Sequence, residues 1–179
     1  MLITIEEFNT YTDNFNDAPD VVNMKNDFIE TAQEIVSNYL GYSVEEATHD
    51  EYLYGMGDPT LYLYGMPITK VNSLSISGSD VPYDSYTISG RTLRLNDGVW
   101  PLGLANIHCN YDAGWTAENA PKIIKDTIKQ IGSLLLQETG GNIGVTGKSM
   151  SENSRTYINY TNFNRWLQKL DAYVVKRMV

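Results

Sequence analysis

The sequence predicts an α+β fold with a mainly helical body of about four helices and a small antiparallel β-sheet region inserted into it. Three observations carry this expectation. Apolar residues recur at helical spacing towards both ends of the chain, whereas short alternating segments fill its middle. The stretch Ile107-His-Cys-Asn-Tyr-Asp-Ala-Gly-Trp115 reads as a strand that stops at a glycine, and Pro121 then opens a long amphipathic helix.

The first helix is expected to start at Ile5. Thr4 and Glu7 have the spacing of a capping box, in which each side chain satisfies the other's backbone N–H. Asp13 to Pro19 is a polar loop, and Asp20 is placed to cap a second helix. There Phe28, Ala32, Ile35, Val36 and Tyr39 recur on one side, and Gly41 fits the left-handed position beyond the end. The helices thus cover about 5–40.

From about 48 to 111 the pattern is β. Tyr52 and Tyr54 alternate with apolar positions, as do Leu61 to Tyr64, and the Gly55–Pro59 turn between them suggests a hairpin. Ser89-Gly90 is a tight turn between Tyr83–Ile88 and Thr92–Leu95, and Asp97-Gly98 closes the latter. Strands this short and close together suggest a compact sheet or small barrel.

A third helix is expected over about 120–139, with Ile124, Ile128, Ile131 and Leu135 inward. A long loop rich in Gly, Ser, Asn and Thr follows at 140–160. Thr161 would cap a C-terminal helix over about 161–178, with Trp166, Leu167, Leu170, Tyr173 and Met178 on one side. Lys176 and Arg177 would complement the negative end of its dipole. All of this fits one domain of 179 residues.

Composition excludes several function classes. Hydrophobic residues at 42% and charged residues at 20% are values of a globular chain rather than a disordered one. No apolar run approaches the length needed to span a bilayer, so no membrane association is expected. The single Cys109 rules out a disulfide within the chain and any zinc site built on several cysteines.

The net charge is −9, unevenly spread. Residues 1–60 hold 13 acidic residues against Lys25 alone, a sum of −12, while the rest hold 9 acids against 12 bases, or +3. Tight binding to nucleic acid is not expected, because that affinity comes from lysine and arginine displacing counterions. The asymmetry would let the acidic part of one copy face the basic part of another, although a solvated acidic helix face is the plainer reading.

Candidate chemistry fails at each place it is sought. Gly147-Lys148-Ser149 imitates a phosphate loop, yet the required glycine five residues before Gly147 is Asn142, and the segment follows a helix rather than a strand. His108 and Cys109 are neighbours in a strand and point to opposite faces, so they cannot act as base and nucleophile together. His49 and His108 lack metal-ligand spacing. No catalytic, metal or cofactor residue is assigned. Tyrosine occurs 13 times, and Tyr52, Tyr54, Tyr62 and Tyr64 could form a stacking platform for a sugar or a single strand. They could equally form a subunit interface.

The ordered series of elements resembles the head–tail connector (adaptor) proteins of long-tailed bacteriophages. The residues that carry the resemblance span most of the chain. They are Ile3-Thr-Ile-Glu-Glu-Phe8; the helix from Phe28 to Gly41; Leu61-Tyr-Leu before Pro67-Ile-Thr-Lys-Val71; Trp100-Pro; Tyr111-Asp-Ala-Gly-Trp115; Pro121-Lys-Ile-Ile-Lys125; Gly147-Lys-Ser-Met-Ser-Glu; and Trp166-Leu-Gln-Lys-Leu-Asp-Ala-Tyr173. Trp115 stands where such proteins more often show tyrosine.

The resemblance implies a non-enzymatic virion protein at the head–tail interface, present in the host cytoplasm during assembly. It implies a dodecameric ring of copies, built from the helices, beneath the portal protein. Such a ring extends the DNA channel without binding DNA specifically and offers a docking surface to a further connector, stopper or tail protein. Loops and the C-terminal segment would engage neighbours, which makes Lys148, Arg155, Tyr157, Tyr160, Trp166, Tyr173, Lys176 and Arg177 the candidate interface residues. A carbohydrate-binding or other interaction module of a phage structural protein is the alternative.

Overall fold

A computed structural model describes residues 1–137, 145–148, 155–157 and 160–175. The chain divides into two compact units, Met1–Gly41 together with Ala117–Val179, and Tyr42–Thr116.

In the first unit, helix α1 spans Ile5–Thr12, α2 Pro19–Leu40, α3 Lys122–Gln137 and α4 Tyr160–Gln168. The capping box forms as expected. Thr4 Oγ1 accepts from the Glu7 backbone at 3.2 Å, and a Glu7 carboxylate oxygen accepts from the Thr4 backbone at 3.4 Å. Gly41 ends α2 at φ 85°, its N–H donating to Ser37 O, so that end too is as expected. The start of α2 differs. Ala18, not Asp20, is the capping residue, and Pro19 opens the helix because its missing N–H costs nothing in the first turn.

Ile29, Ala32, Val36 and Leu40 of α2 are buried, as are Ile124, Ile128 and Ile131 of α3 and Phe8 of α1. Gly132 lets α3 approach α1 closely, since a Cβ there would lie 3.0 Å from the Phe8 ring.

The C-terminal helix is shorter than the 161–178 expected. It begins at Tyr160, before Thr161, and ends at Gln168, followed by a 3-10 turn over Asp171–Tyr173. The cause is tertiary. The Tyr39 hydroxyl donates to Asp171, and Val175 N–H donates to Leu40 O at 3.0 Å, capping a carbonyl that the end of α2 leaves open. Both bonds draw this backbone out of the helical path. Within the range expected as a long loop, strands β8 (Val145–Lys148) and β9 (Arg155–Tyr157) pair antiparallel.

The second unit is built from β1 (Ala47–Gly55), β2 (Thr60–Tyr62), β3 (Ile68–Ile76), β4 (Ser79–Asp80), β5 (Tyr86–Ser89), β6 (Thr92–Leu95) and β7 (Gly103–Ala113). They form a four-stranded antiparallel sheet in the order β1-β7-β3-β4 and a three-stranded one in the order β2-β6-β5. The β5–β6 hairpin turns at Gly90, φ 59°, as its sequence predicts. The expected hairpin of Tyr52–Tyr54 with Leu61–Tyr64 does not form, since β1 pairs with β7 and β2 with β6. Alternation places side chains on the right faces but does not choose a strand's partner.

These sheets share a core of Leu53, Leu63, Leu74, Leu93, Trp100, Ile107, Cys109 and Tyr111, with further apolar residues around it. The expectation of a mainly helical body with a small inserted sheet is therefore corrected. Of the described residues about 38% are helix and 30% strand, in a sheet-rich fold with two antiparallel sheets around a β core. The middle segment is a unit with its own hydrophobic interior because β7 is eleven residues long and central to its sheet. Where the chain enters and leaves this unit, Trp115 N–H donates to Val44 O and Glu46 N–H to Trp115 O. Gly114 is required there. Its φ is 115°, and a Cβ would meet Glu45 O at 2.5 Å.

Among the described residues no helix is long and apolar enough to cross a membrane.

Candidate interaction surfaces

Strand β7 alternates between two environments. Ile107, Cys109, Tyr111 and Ala113 point inward and are buried. Burial, aided by the charges of Glu51 and Asp50, pushes the Cys109 thiol up to about 12, which removes it from nucleophilic chemistry. His108 lies on the other face, where Nε2 is 2.6 Å from Asp50 Oδ1. The two neighbours are thus separated by the sheet, as the alternation predicts. Inside, the Tyr111 hydroxyl donates to Glu51 Oε1 at 2.5 Å and accepts from Gly65 N–H at 2.9 Å. No group of three or more His, Cys, Asp or Glu able to hold a metal ion occurs among the described residues.

The tyrosines singled out from the sequence are exposed but divided. Tyr52 and Tyr54 lie on β1, Tyr62 ends β2, and Tyr64 follows it. Tyr52 stacks on His108 with centroids 4.4 Å apart, while Arg91 lies over the Tyr62 ring at 5.4 Å. Strands β1 and β2 belong to different sheets, so the single-hairpin platform that would suit a sugar is not formed.

The candidate residues near the C-terminus lie on the β8–β9 pair, on α4 and on the 3-10 turn that follows it. Lys148 and Arg155 stand opposite each other in the β8–β9 register, and Tyr157 stands opposite Val145. Tyr160 opens α4. Trp166 is half-buried on α4 beside buried Leu167, and Tyr173 is half-buried in the 3-10 turn. Lys176 and Arg177 lie outside the described residues.

A different surface was not anticipated. At one end of the four-stranded sheet Gly55 pairs with Gly103, and around this pair Tyr54, Met56, Val99, Leu102 and Leu104 are all exposed. Leu104 is 87% exposed, Leu102 78% and Met56 71%, unusual values for large apolar side chains.

The two segments of this tip are stitched together. Gly57 N–H donates to Trp100 O at 3.0 Å and Trp100 N–H to Asp58 O at 2.9 Å. The Trp100 ring is fully buried, with Nε1 donating to Pro59 O. Asn106 accepts from Gly55 N–H and donates to Pro101 O. Two glycines are obligatory. A Cβ on Gly55 would fall 1.7 Å from Pro101 O, and Gly57 has φ 77°. Ala105 adopts φ 49°, a conformation an L-residue rarely takes. The sequence signal was present in the ten residues Gly98–Ile107, Gly-Val-Trp-Pro-Leu-Gly-Leu-Ala-Asn-Ile, which contain no charge.

The family described as head completion protein matches residues 1–137. No curated protein matches. Among solved structures, a chain from the neck of an empty gene transfer agent (GTA) particle, computed with C6 symmetry, is similar. It shares 8% identity at a TM-score of 0.65, over 99% of this chain and 92% of the other. A chain from the virion of the native gene transfer agent particle shares 10% identity at 0.66, with coverage of 99% and 92%. A chain from the neck of the native particle, computed with C12 symmetry, shares 8% identity at 0.59, with coverage of 98% and 90%. At such identities the likeness is one of fold. The family match extends over well more than half of the chain, and with it the chain belongs to the head completion protein family, in keeping with its resemblance to phage head–tail connectors.

Proposed function

We propose that this head completion protein is a head–tail connector, a structural component of the virion at the junction of head and tail. The observation that carries the reading is the family match over residues 1–137, joined to a fold shared from end to end with chains of particle necks. Copies of the chain form a ring, twelve-fold like the symmetry of one similar neck. The ring meets the portal protein on one side and a further connector, stopper or tail protein on the other. DNA passes through its channel without specific binding, which suits a chain of net charge −9. The protein acts through surface rather than through a reacting side chain.

Deletion of the gene tests this. The expected particles are DNA-filled heads without joined tails, restored by supplying the chain in trans. Normal tailed particles made without the chain would contradict it.

A further inference from the structure

We infer that the apolar tip formed by Tyr54, Met56, Val99, Leu102 and Leu104 is a contact between adjacent copies of this chain. The inference rests on the connector reading and adds to it the surface that holds the ring together.

The first argument is area. From their exposures, these five residues present on the order of 500 Å² of apolar side-chain surface, at the upper end of the ~300–600 Å² of the largest patch on a typical monomer and more than half of the ~800 Å² that each partner of a stable interface buries.

The second is charge. Residues 52–57 and 98–107 contain no Asp, Glu, Lys or Arg. Depletion of charge with enrichment of apolar side chains marks the core of a permanent homo-oligomeric contact more than that of docking between separate proteins. Each copy also carries a net charge of −9, so copies packed side by side repel one another. The exposed carboxylates of Asp58 and Asp97 stand at the edge of the tip, and its apolar centre, which carries no charge, is the kind of surface such copies can share. It also has no cation with which to hold DNA or an anionic lipid surface.

The third is preorganisation. Backbone bonds between Gly57, Asp58 and Trp100, the Asn106 side chain, and glycines that tolerate no Cβ hold the tip in one shape before any partner arrives. Little ordering entropy is then lost on contact. In a ring the contact is heterologous, so the tip of one copy meets a different surface on the next.

The test places a photo-reactive benzophenone amino acid at Leu104, and separately at Leu102, in the full-length chain. A control carries it at exposed Ser89, beside Gly90, whose carbonyl is bonded to Ile68. Particles are assembled from a mixture of variant and wild-type chains, purified, and irradiated.

The expected product at 104 and 102 is a covalent dimer of this 20.2 kDa chain, at least tenfold above the Ser89 level and lost when particles are denatured before irradiation. An adduct with any other virion protein, or no adduct above the Ser89 level, overturns the proposed contact and leaves the connector reading standing. Absence of the wild-type chain from purified particles overturns both.

Discussion

Lys25 donates its Nζ to Asn9 Oδ1 across 2.7 Å while being fully buried inside the helical unit. Nζ also donates to Asn14 O at 2.7 Å and to Asn16 O at 3.1 Å, so one amine ties α2 to α1 and to the loop between them. Three donors meet three acceptors, which is what makes its burial tolerable. Lys25→Met keeps the bulk and removes every one of these bonds. It is expected to cost about 2–4 kcal/mol, seen as a lower urea midpoint at unchanged slope. An unchanged midpoint would show that the loop is held by something else.

Tyr111 plays a comparable part in the β unit. Tyr111→Phe leaves Gly65 N–H without its acceptor and removes the donor to Glu51 Oε1, whose neighbour Oε2 is buried with no hydrogen-bond partner among the described residues. A loss of about 1–3 kcal/mol is expected, read by thermal or chemical unfolding.

Glu7 links acid stability to the packing of α1 on α3. Burial raises its pKa, but the hydrogen bond from Lys125 at 2.8 Å, the charge of that lysine and the Thr4 N–H outweigh it, so the carboxyl titrates below its ordinary value of 4.5. Because the folded value is the lower one, the stabilisation is complete above 4.5 and is lost as pH falls through the folded value. Glu7→Gln should therefore be less stable than wild type at pH 6–7, the gap closing as acid is added. A gap that persists unchanged into strong acid would remove the ion pair from the explanation.

Cys109 is expected to be silent in the native protein. With the thiol raised to about 12 and fully buried, a disulfide reagent at pH 8 should leave it unmodified for hours and label it fully in denaturant. Rapid labelling of the native chain would mean that β7 opens readily.

What could be read from the sequence is what neighbours within a turn or two decide. The Thr4–Glu7 box, the stop at Gly41, the turn at Gly90 and the inner stripe Ile124–Ile128–Ile131 depend on local geometry and were legible. The pairing of Leu53 with Ile107 was not, because alternation is satisfied equally by a nearer partner. Nor was the end of α4, where contacts with Tyr39 and Leu40 override a helical pattern that continues to Met178. The helical periodicity at the two ends drew attention from a β unit whose core closes only through such distant pairings.

The C-terminal candidate residues and the exposed apolar tip differ in how plainly the sequence marks them. Basic and aromatic residues towards the C-terminus stand out in the sequence by their charge and rings. The tip at Leu102 and Leu104 does not, because an apolar residue announces nothing until its exposure is known, and that exposure follows from glycine contacts between segments some fifty residues apart.

Cryo-electron microscopy of the neck of particles that encode this chain decides whether it is a ring-forming connector. A connector role requires twelve copies of this fold in one closed ring between portal and tail. A neck reconstructed without density for the chain, or with the chain bound elsewhere as an isolated copy, would contradict it.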